Sequence, residues 1–226
     1  MWWTCSRGHA GASHAALPRV VGDTRQVSFR VLCVCTGNVC RSPMAELLFR
    51  GWADPTADVT VTSAGTHALV GAAMDGSSAS ALGQLGIDPS VHRAKQFEVR
   101  MAEQADLVLA ASRQHRDLVI TALPNSYKRT FTMKEFARLV SDLPPYDDPR
   151  ATVAAAAARR GQVPPVPASD DDVRDPYGGE IKHAKTIAEE ITESVYATVS
   201  ALGFAAQAWT APTVARVRTS PRPQPF

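Results

Sequence analysis

The sequence lacks the features that mark several large classes of protein. Its 24 Lys and Arg nearly balance 22 Asp and Glu, and the net charge of +2 gives no basis for nucleic-acid binding. No uninterrupted apolar run approaches membrane-spanning length, so we predict no membrane insertion. Residues 1–26 lack the continuous apolar core of a secretory signal and are predicted to form a loose leader. A cytoplasmic location is therefore expected.

Cysteine is scarce and clustered. The 226 residues include four, Cys5, Cys33, Cys35 and Cys40, and none follows Cys40. This spacing is unsuited to a disulfide framework and is typical of redox chemistry or catalysis in a reducing compartment. Cys5 has no neighbours at metal-binding spacing, and the acidic run at 170–172 is typical of a solvated loop or a helix cap. We predict neither a metal nor an organic cofactor.

The most informative stretch runs from Val31 to Pro43. An apolar, β-branched run ends at Cys35, a compact loop follows, and Ser42-Pro43 opens an apolar segment of helical period, which predicts strand, loop and helix. Ser42 is the predicted N-cap and Pro43 the first helical residue. Small loop residues let successive N–H groups turn inward, and the helix start adds unpaired N–H groups and a positive dipole end. The predicted oxyanion-binding loop, called the phosphate loop below, comprises Thr36, Gly37, Asn38, Val39, Cys40 and Ser42.

Two side chains at this loop indicate its chemistry. Arg41 supplies a planar fork of donors that can hold two phosphoryl oxygens at once. Cys35 lies where the strand meets the loop, and the same donors together with the cation favour its thiolate over its thiol. A thiolate at the base of an anion site is a nucleophile directed at phosphorus. We therefore predict that Cys35 and Arg41 are catalytic.

Strands and helices alternate along the chain, which predicts an α/β fold with a four-stranded parallel sheet between layers of helices. Besides the strand ending at Cys35, strands are predicted at 58–62, 105–110 and 129–133. Helices are predicted at 77–85, between Ser112 and Pro124, at 151–160, and along an apolar stripe that Gly203 ends. Ligands of such sheets bind at the carboxyl ends of the strands, where Cys35 falls.

The chain is expected to hold one domain at 27–204. Within it, 140–173 changes in character and is predicted to be an insertion. Residues 205–226 interleave Pro and Arg and are predicted to be a disordered, basic tail.

A second motif, Asp175-Pro176-Tyr177, lies late in the chain. Proline restricts the residue before it to extended conformations, so Asp175 is predicted to lie on a stiff loop. A phenolate leaving group has a conjugate acid with a pKa of about 10, so cleavage of an aryl phosphate is aided by a carboxylic acid that protonates the leaving oxygen. Tyr177 is predicted to wall the pocket and stack on a substrate ring. Another Asp-Pro pair, at 148–149, is followed by Arg150 in place of an aromatic residue and is therefore not predicted to supply the acid.

The string Cys35-Thr36-Gly37-Asn38-Val39-Cys40-Arg41-Ser42-Pro43 resembles the signature of the low-molecular-weight protein tyrosine phosphatase family. That signature is a cysteine, five residues and an arginine followed by Ser-Pro. The resemblance covers about 27–203 and implies a three-layer α/β/α fold and no cofactor. Because the family carries Asp-Pro and an aromatic residue late in the chain, it also implies that Asp175 is the general acid.

The resemblance implies supporting roles for further residues. Ser63 and His92 match family positions that brace the loop asparagine, here Asn38, by hydrogen bonds. Ser42 would stabilise the thiolate or the departing sulfur. Cys40 matches a second loop cysteine that can trap the oxidised nucleophile as a reversible disulfide, and simple packing is the alternative.

Two departures place the chain nearer the bacterial branch of the family. Gly178 follows Tyr177 where the eukaryotic branch has a second tyrosine, and Ala68 stands where that branch has a pocket tryptophan. The segment at 140–173 is also longer than usual.

We predict a phosphatase that hydrolyses phosphotyrosine-type monoesters through a cysteinyl-phosphate, acting as a monomer on a phosphotyrosine protein or a small phosphoester. Two alternatives stay open. Thioredoxin-coupled arsenate reductases resemble the same fold and loop but relay oxidation through later cysteines, so only a version that uses a small thiol fits. The other is a phosphate-binding module without turnover, against which the joint presence of Cys35, Arg41 and Asp175 argues.

Overall fold

The computed structural model describes residues 28–206. The leader predicted at 1–26, with Cys5, and the tail beyond residue 206 lie outside these described residues. The strands are β1 (Phe29–Cys35), β2 (Val59–Gly65), β3 (Leu107–Ala110) and β4 (Thr130–Thr132). The α-helices are α1 (Arg41–Trp52), α2 (Gly76–Gln84), α3 (Val99–Gln104), α4 (Arg113–Ala122), α5 (Met133–Val140), α6 (Pro149–Arg159), α7 (Ala168–Asp171) and α8 (Ile181–Ala201), and a 3₁₀ helix spans Pro124–Arg129.

The four strands form one parallel sheet in the order β2-β1-β3-β4, which confirms the predicted architecture. Side chains of β1 alternate between the two faces. Val31 and Cys33 belong to the large core cluster that includes α1 and α8, whereas Leu32 and Val34 belong to a second cluster with α3 and α4. Because both faces of β1 are covered, its apolar run is nearly continuous.

Helix ends follow local chemistry with one exception. The Ser112 hydroxyl accepts from the backbone N–H of His115 and caps α4 as predicted, and α8 carries the predicted apolar stripe and is followed by Gly203 at a φ of 75°. The predicted start of α1 is wrong: the helix begins at Arg41, and Cys40 is its N-cap without a side-chain bond. The Ser42 hydroxyl is unavailable for capping because it is bound inside the phosphate-loop network described below.

The segment between α5 and α8 is more structured than its composition indicates. Asp148 caps α6 through the backbone N–H of Arg150, with Pro149 as the first helical residue. The acidic run then ends the short helix α7, and here the prediction of a solvated run is wrong for Asp171. Its side chain is buried because Arg113 and Arg138 pair with it.

None of the helices within residues 28–206 is long and apolar enough to cross a membrane.

Candidate active site

The loop after β1 turns its carbonyl groups away from the cleft. Each carbonyl oxygen from residue 35 to residue 40 accepts a hydrogen bond from a surrounding element. In chain order the donors are the backbone N–H groups of Thr66, His67 and Leu69, the His92 ring, and the backbone N–H groups of Asp75 and Met44. In a trans peptide the N–H of the next residue points opposite to the carbonyl, so the N–H groups of residues 36–41 point to the other side. Six consecutive peptide dipoles therefore line an anion site.

Asn38 holds this loop in its unusual conformation. Its φ is 53°, a left-handed value that asparagine tolerates better than most residues, and its side chain is fully buried. The Oδ1 atom accepts from the backbone N–H of Lys95 at 2.7 Å, which fixes the amide orientation. Its Nδ2 then donates to Ser42 Oγ at 2.9 Å and to Ser63 Oγ at 2.8 Å.

These bonds orient the hydroxyl group beside the Cys35 sulfur. Ser42 Oγ lies 2.9 Å from Cys35 Sγ, and the same oxygen accepts from the amide of Asn38. The Ser42 hydrogen is therefore free to donate, and its two acceptors are the sulfur and the Ala64 carbonyl oxygen, which is farther away at 3.4 Å.

Glu46 completes the network and was not singled out by the sequence analysis. Ser63 Oγ donates to Glu46 Oε2 at 2.5 Å, and Arg50 pairs with Glu46 Oε1 at 2.8 Å. The chain of bonds thus runs from a buried carboxylate through Ser63, Asn38 and Ser42 to the sulfur of Cys35. A single acidic residue inside the apolar run at 44–49 is the signal that could have identified Glu46.

Two neighbours constrain the loop from outside. His92 is buried, and its Nε2 lies 2.7 Å from the carbonyl oxygen of Asn38, so this nitrogen carries the proton. Burial lowers the pKa of His92, while the Asn38 carbonyl opposes that shift. Gly65, at the end of β2, leaves room for the loop, since a Cβ there would overlap the Thr36 carbonyl oxygen and lie 2.9 Å from the Asn38 nitrogen.

Arg41 and Asp175 meet at the mouth of the loop. Arg41 is buried, and its Nη2 donates to Asp175 Oδ2 at 2.6 Å while Nη1 donates to the Val173 carbonyl at 3.2 Å. Its Nε is buried and has no acceptor within residues 28–206. An unpaired buried N–H group is costly unless a ligand uses it, so this atom is available for an oxyanion.

A cleft of about 200 Å³ lies between the loop and the segment that carries Asp175. Its polar end holds Cys35, Arg41 and Asp175, and its outer walls are largely apolar. The remaining lining residues are Thr36, Gly37, Val39, Cys40, His67, Leu69 and Tyr177. Tyr177 is 61% exposed and lies at the rim.

The other two described thiols are unsuited to nucleophilic attack. Burial raises the pKa of Cys40 to about 12, and Asp75 and Asp175 add to the rise. Burial likewise raises the pKa of Cys33 well above its ordinary value. Cys40 also packs with Val39 and Ala94, so its contacts favour the packing interpretation, and its redox role stays a prediction.

His115 is a second residue that the sequence analysis did not identify. Its Nε2 lies 2.8 Å from Thr36 Oγ1, and its Nδ1 lies 2.6 Å from Ser112 Oγ. Burial, and then the charge of Arg41, lowers the pKa of His115 to about 4. The imidazole is therefore neutral at pH 7 and ties the first loop residue to the start of α4. A histidine three residues after an N-cap serine is the local signal that could have revealed it.

We expect His115 to make stability depend on pH. An unfolded histidine binds its proton near pH 6.5, whereas the folded state binds it only near pH 4, so protonation favours unfolding as the pH falls from about 6.5 to about 4. His115→Gln keeps a hydrogen-bond donor but cannot titrate. Thermal unfolding at pH 7.5 and pH 5 should show that the variant loses less stability than the parent, by on the order of 1 kcal/mol. Equal losses in the two proteins would contradict the account.

The comparisons with known proteins agree with this geometry. A family described as low molecular weight phosphotyrosine protein phosphatase matches residues 30–156. A protein-arginine-phosphatase from Geobacillus stearothermophilus is 30% identical over 163 residues, which is 72% of this chain and 88% of that protein. A probable low molecular weight protein-tyrosine-phosphatase, EpsP, from Ralstonia solanacearum is 36% identical over 114 residues, 50% of this chain and 77% of EpsP.

Solved structures give the same result. The low molecular weight protein tyrosine phosphatase from T. tengcongensis superposes with a TM-score of 0.58 at 31% identity, covering 76% of this chain and 99% of that one. The chain therefore belongs to the low molecular weight phosphotyrosine protein phosphatase family.

Proposed function

We propose that this chain, a phosphatase by its family, hydrolyses phosphotyrosine-type monoesters through a cysteinyl-phosphate intermediate. The observation that carries the proposal is the orientation of the loop peptides. Their carbonyl groups are all bound outside, so their N–H groups surround the position in front of Cys35 where a phosphoryl group fits. Such prearranged donors stabilise the charge that develops on the equatorial oxygens.

The reaction has two steps. The Cys35 thiolate attacks phosphorus in line with the leaving oxygen, while the loop amides and Arg41 hold the equatorial oxygens. Asp175 gives its proton to the leaving oxygen, and the bond from phosphorus to that oxygen breaks. Water, deprotonated by the ionised Asp175, then attacks the phosphocysteine, and Ser42 donates to the departing sulfur. Phosphate and the free thiolate are the products.

The walls of the cleft favour an aromatic leaving group. Val39, Leu69 and Tyr177 present apolar surface to the group that carries the phosphate. A phosphorylated arginine would instead present a guanidinium, which needs a carboxylate partner. Asp175 is the carboxylate among the residues that line the cleft, and Arg41 already binds it.

Removal of phosphate from arginine is nevertheless the second candidate function. The Geobacillus stearothermophilus relative, which matches 72% of this chain, is named a protein-arginine-phosphatase. The experiment compares one peptide carrying either phosphotyrosine or phosphoarginine. We expect kcat/KM to be at least about tenfold higher for phosphotyrosine. A preference for phosphoarginine would assign the second function.

The same preparation tests the two remaining alternatives. We expect hydrolysis of p-nitrophenyl phosphate and no reduction of arsenate by glutathione. Arsenate reduction without hydrolysis would assign the reductase function. Binding of inorganic phosphate with no turnover at any pH from about 5 to 8 would assign the binding module.

We further propose that the protein acts as a monomer in the cytoplasm. The three described cysteines are free thiols, and a reducing compartment keeps a thiol nucleophile active.

A further inference from the structure

We propose that Asp171, held between Arg113 and Arg138, is a positioning residue that sets the place of Asp175 over the cleft. The inference rests on the proposed function, because it concerns the residue to which that function gives the role of general acid. It gives the long segment between α5 and α8 a task in the reaction.

Asp171 forms a buried ion cluster outside the phosphate loop. Its side chain is 4% exposed, and its Oδ2 accepts from Arg113 Nη2 at 2.6 Å and from Arg113 Nε at 3.2 Å. Its Oδ1 accepts from Arg138 Nη2 at 3.1 Å. Arg113 is the first residue of α4 and Arg138 lies near the end of α5, so one carboxylate joins α7 to two helices. A two-point contact of this kind restricts direction as well as distance.

The cluster continues into the residues that lead to Asp175. Asp172 Oδ1 accepts from the backbone N–H of Arg113 at 2.7 Å. Val173 is buried, and its N–H donates to the carbonyl of Ala111 at 2.8 Å. We call the segment that begins at Val173 and carries Asp175 the acid loop. Its start is therefore fixed to the end of β3 and the beginning of α4, where the active site lies.

The opposite side of Val173 faces the phosphate-binding arginine. Arg41 donates to the Val173 carbonyl through Nη1 and to Asp175 through Nη2. The Arg41 guanidinium thus contacts both the anchored start of the acid loop, at Val173, and the carboxyl group of Asp175. If the start of the acid loop moves, the carboxyl group of Asp175 moves relative to Arg41 and to the leaving oxygen.

The segment needs such an anchor because it is long. Helix α6 packs on the core, but residues 160–172 still separate it from the acid loop, and the freedom of such a connection opposes a single placement of its end. Helix α7 has four residues and cannot hold itself in place. The Asp171 carboxylate supplies the fixed point, because without its charge both arginine side chains lose a buried partner.

The test measures kcat/KM, which reports the step that forms the cysteinyl-phosphate, on two substrates. Phosphotyrosine needs a proton on its leaving group, whereas the leaving group of p-nitrophenyl phosphate departs more readily without one. Asp171→Asn keeps the size of the side chain and removes its charge. We expect a fall of about tenfold on phosphotyrosine and of less than about threefold on p-nitrophenyl phosphate.

Asp170→Asn is the matched control, because Asp170 is the adjacent residue and is exposed. It should leave both rates within about twofold of the parent. Equal falls on the two substrates in Asp171→Asn, or no fall on either, would show that the cluster serves stability alone and would overturn the inference.

Two further variants keep the result decisive. If Asp171→Asn does not fold, Arg138→Gln removes one arm and leaves the pair with Arg113, and the same selective fall should appear at about threefold. A non-selective effect there would also overturn the inference. Asp175→Asn distinguishes failure of this inference from failure of the proposed acid role. If Asp175→Asn slows phosphotyrosine selectively and Asp171→Asn does not, only the inference fails. If Asp175→Asn itself shows none, the acid role and the inference fail together.

Discussion

Replacing Cys35 with serine is expected to abolish hydrolysis of phosphomonoesters, by at least about 10⁴-fold in kcat, while inorganic phosphate still binds. The serine hydroxyl has almost the same shape as the thiol but is not ionised near neutral pH, so it cannot attack phosphorus at a useful rate. The N–H groups of the loop and the free Nε of Arg41 are unchanged by this substitution. Steady-state kinetics and calorimetric titration with phosphate measure the two effects separately.

Cys40→Ser is the control within the same loop. Burial raises the pKa of Cys40 to about 12, so this thiol is protonated at the pH of the assay and takes no part in attack. We expect its loss to lower kcat by less than about tenfold through packing alone. Residual activity in Cys35→Ser, together with loss of activity in Cys40→Ser, would show that Cys35 is not the nucleophile.

Asp175→Asn is expected to lower kcat/KM for phosphotyrosine by about 10²-fold or more, and that for p-nitrophenyl phosphate much less. The amide can still accept a hydrogen bond from Arg41, so the loop keeps its contact, but it has no proton to give to the leaving oxygen. A pH profile adds a second readout, because the variant should lose the limb that reports the acid.

The sequence offers a matched control in its other Asp-Pro pair. Asp148 is exposed and caps α6, and asparagine is an equally good cap, so Asp148→Asn should change neither activity nor stability measurably. If Asp175→Asn slows both substrates equally, its carboxyl group is not the acid.

The sheet and the phosphate loop were predictable because their signals are local. The β-branched run of β1 is buried on both faces and reads as a strand without any knowledge of its neighbours. The compact loop after Cys35 is likewise indicated by residues that follow one another in the chain. Boundaries shifted by a residue or two, as for β1, which begins at Phe29.

What the sequence could not show depends on contacts between distant residues. Serine is a favoured N-cap residue, but the Ser42 hydroxyl is hydrogen-bonded to Asn38 and Cys35 instead. Only the folded loop brings these groups together. Asp171 looks like a solvated acid because its partners lie 58 and 33 residues away. His115 likewise meets Thr36 across 79 residues.

The covalent intermediate is the claim on which all roles in the site depend. The most direct test mixes the protein with p-nitrophenyl phosphate, quenches the reaction within milliseconds, digests the chain and locates the phosphoryl group by mass spectrometry. We predict a phosphoryl group on the sulfur of Cys35, formed and lost at rates that match turnover. Rapid turnover with no phosphorylated peptide, or with the phosphoryl group on another residue, would contradict the account.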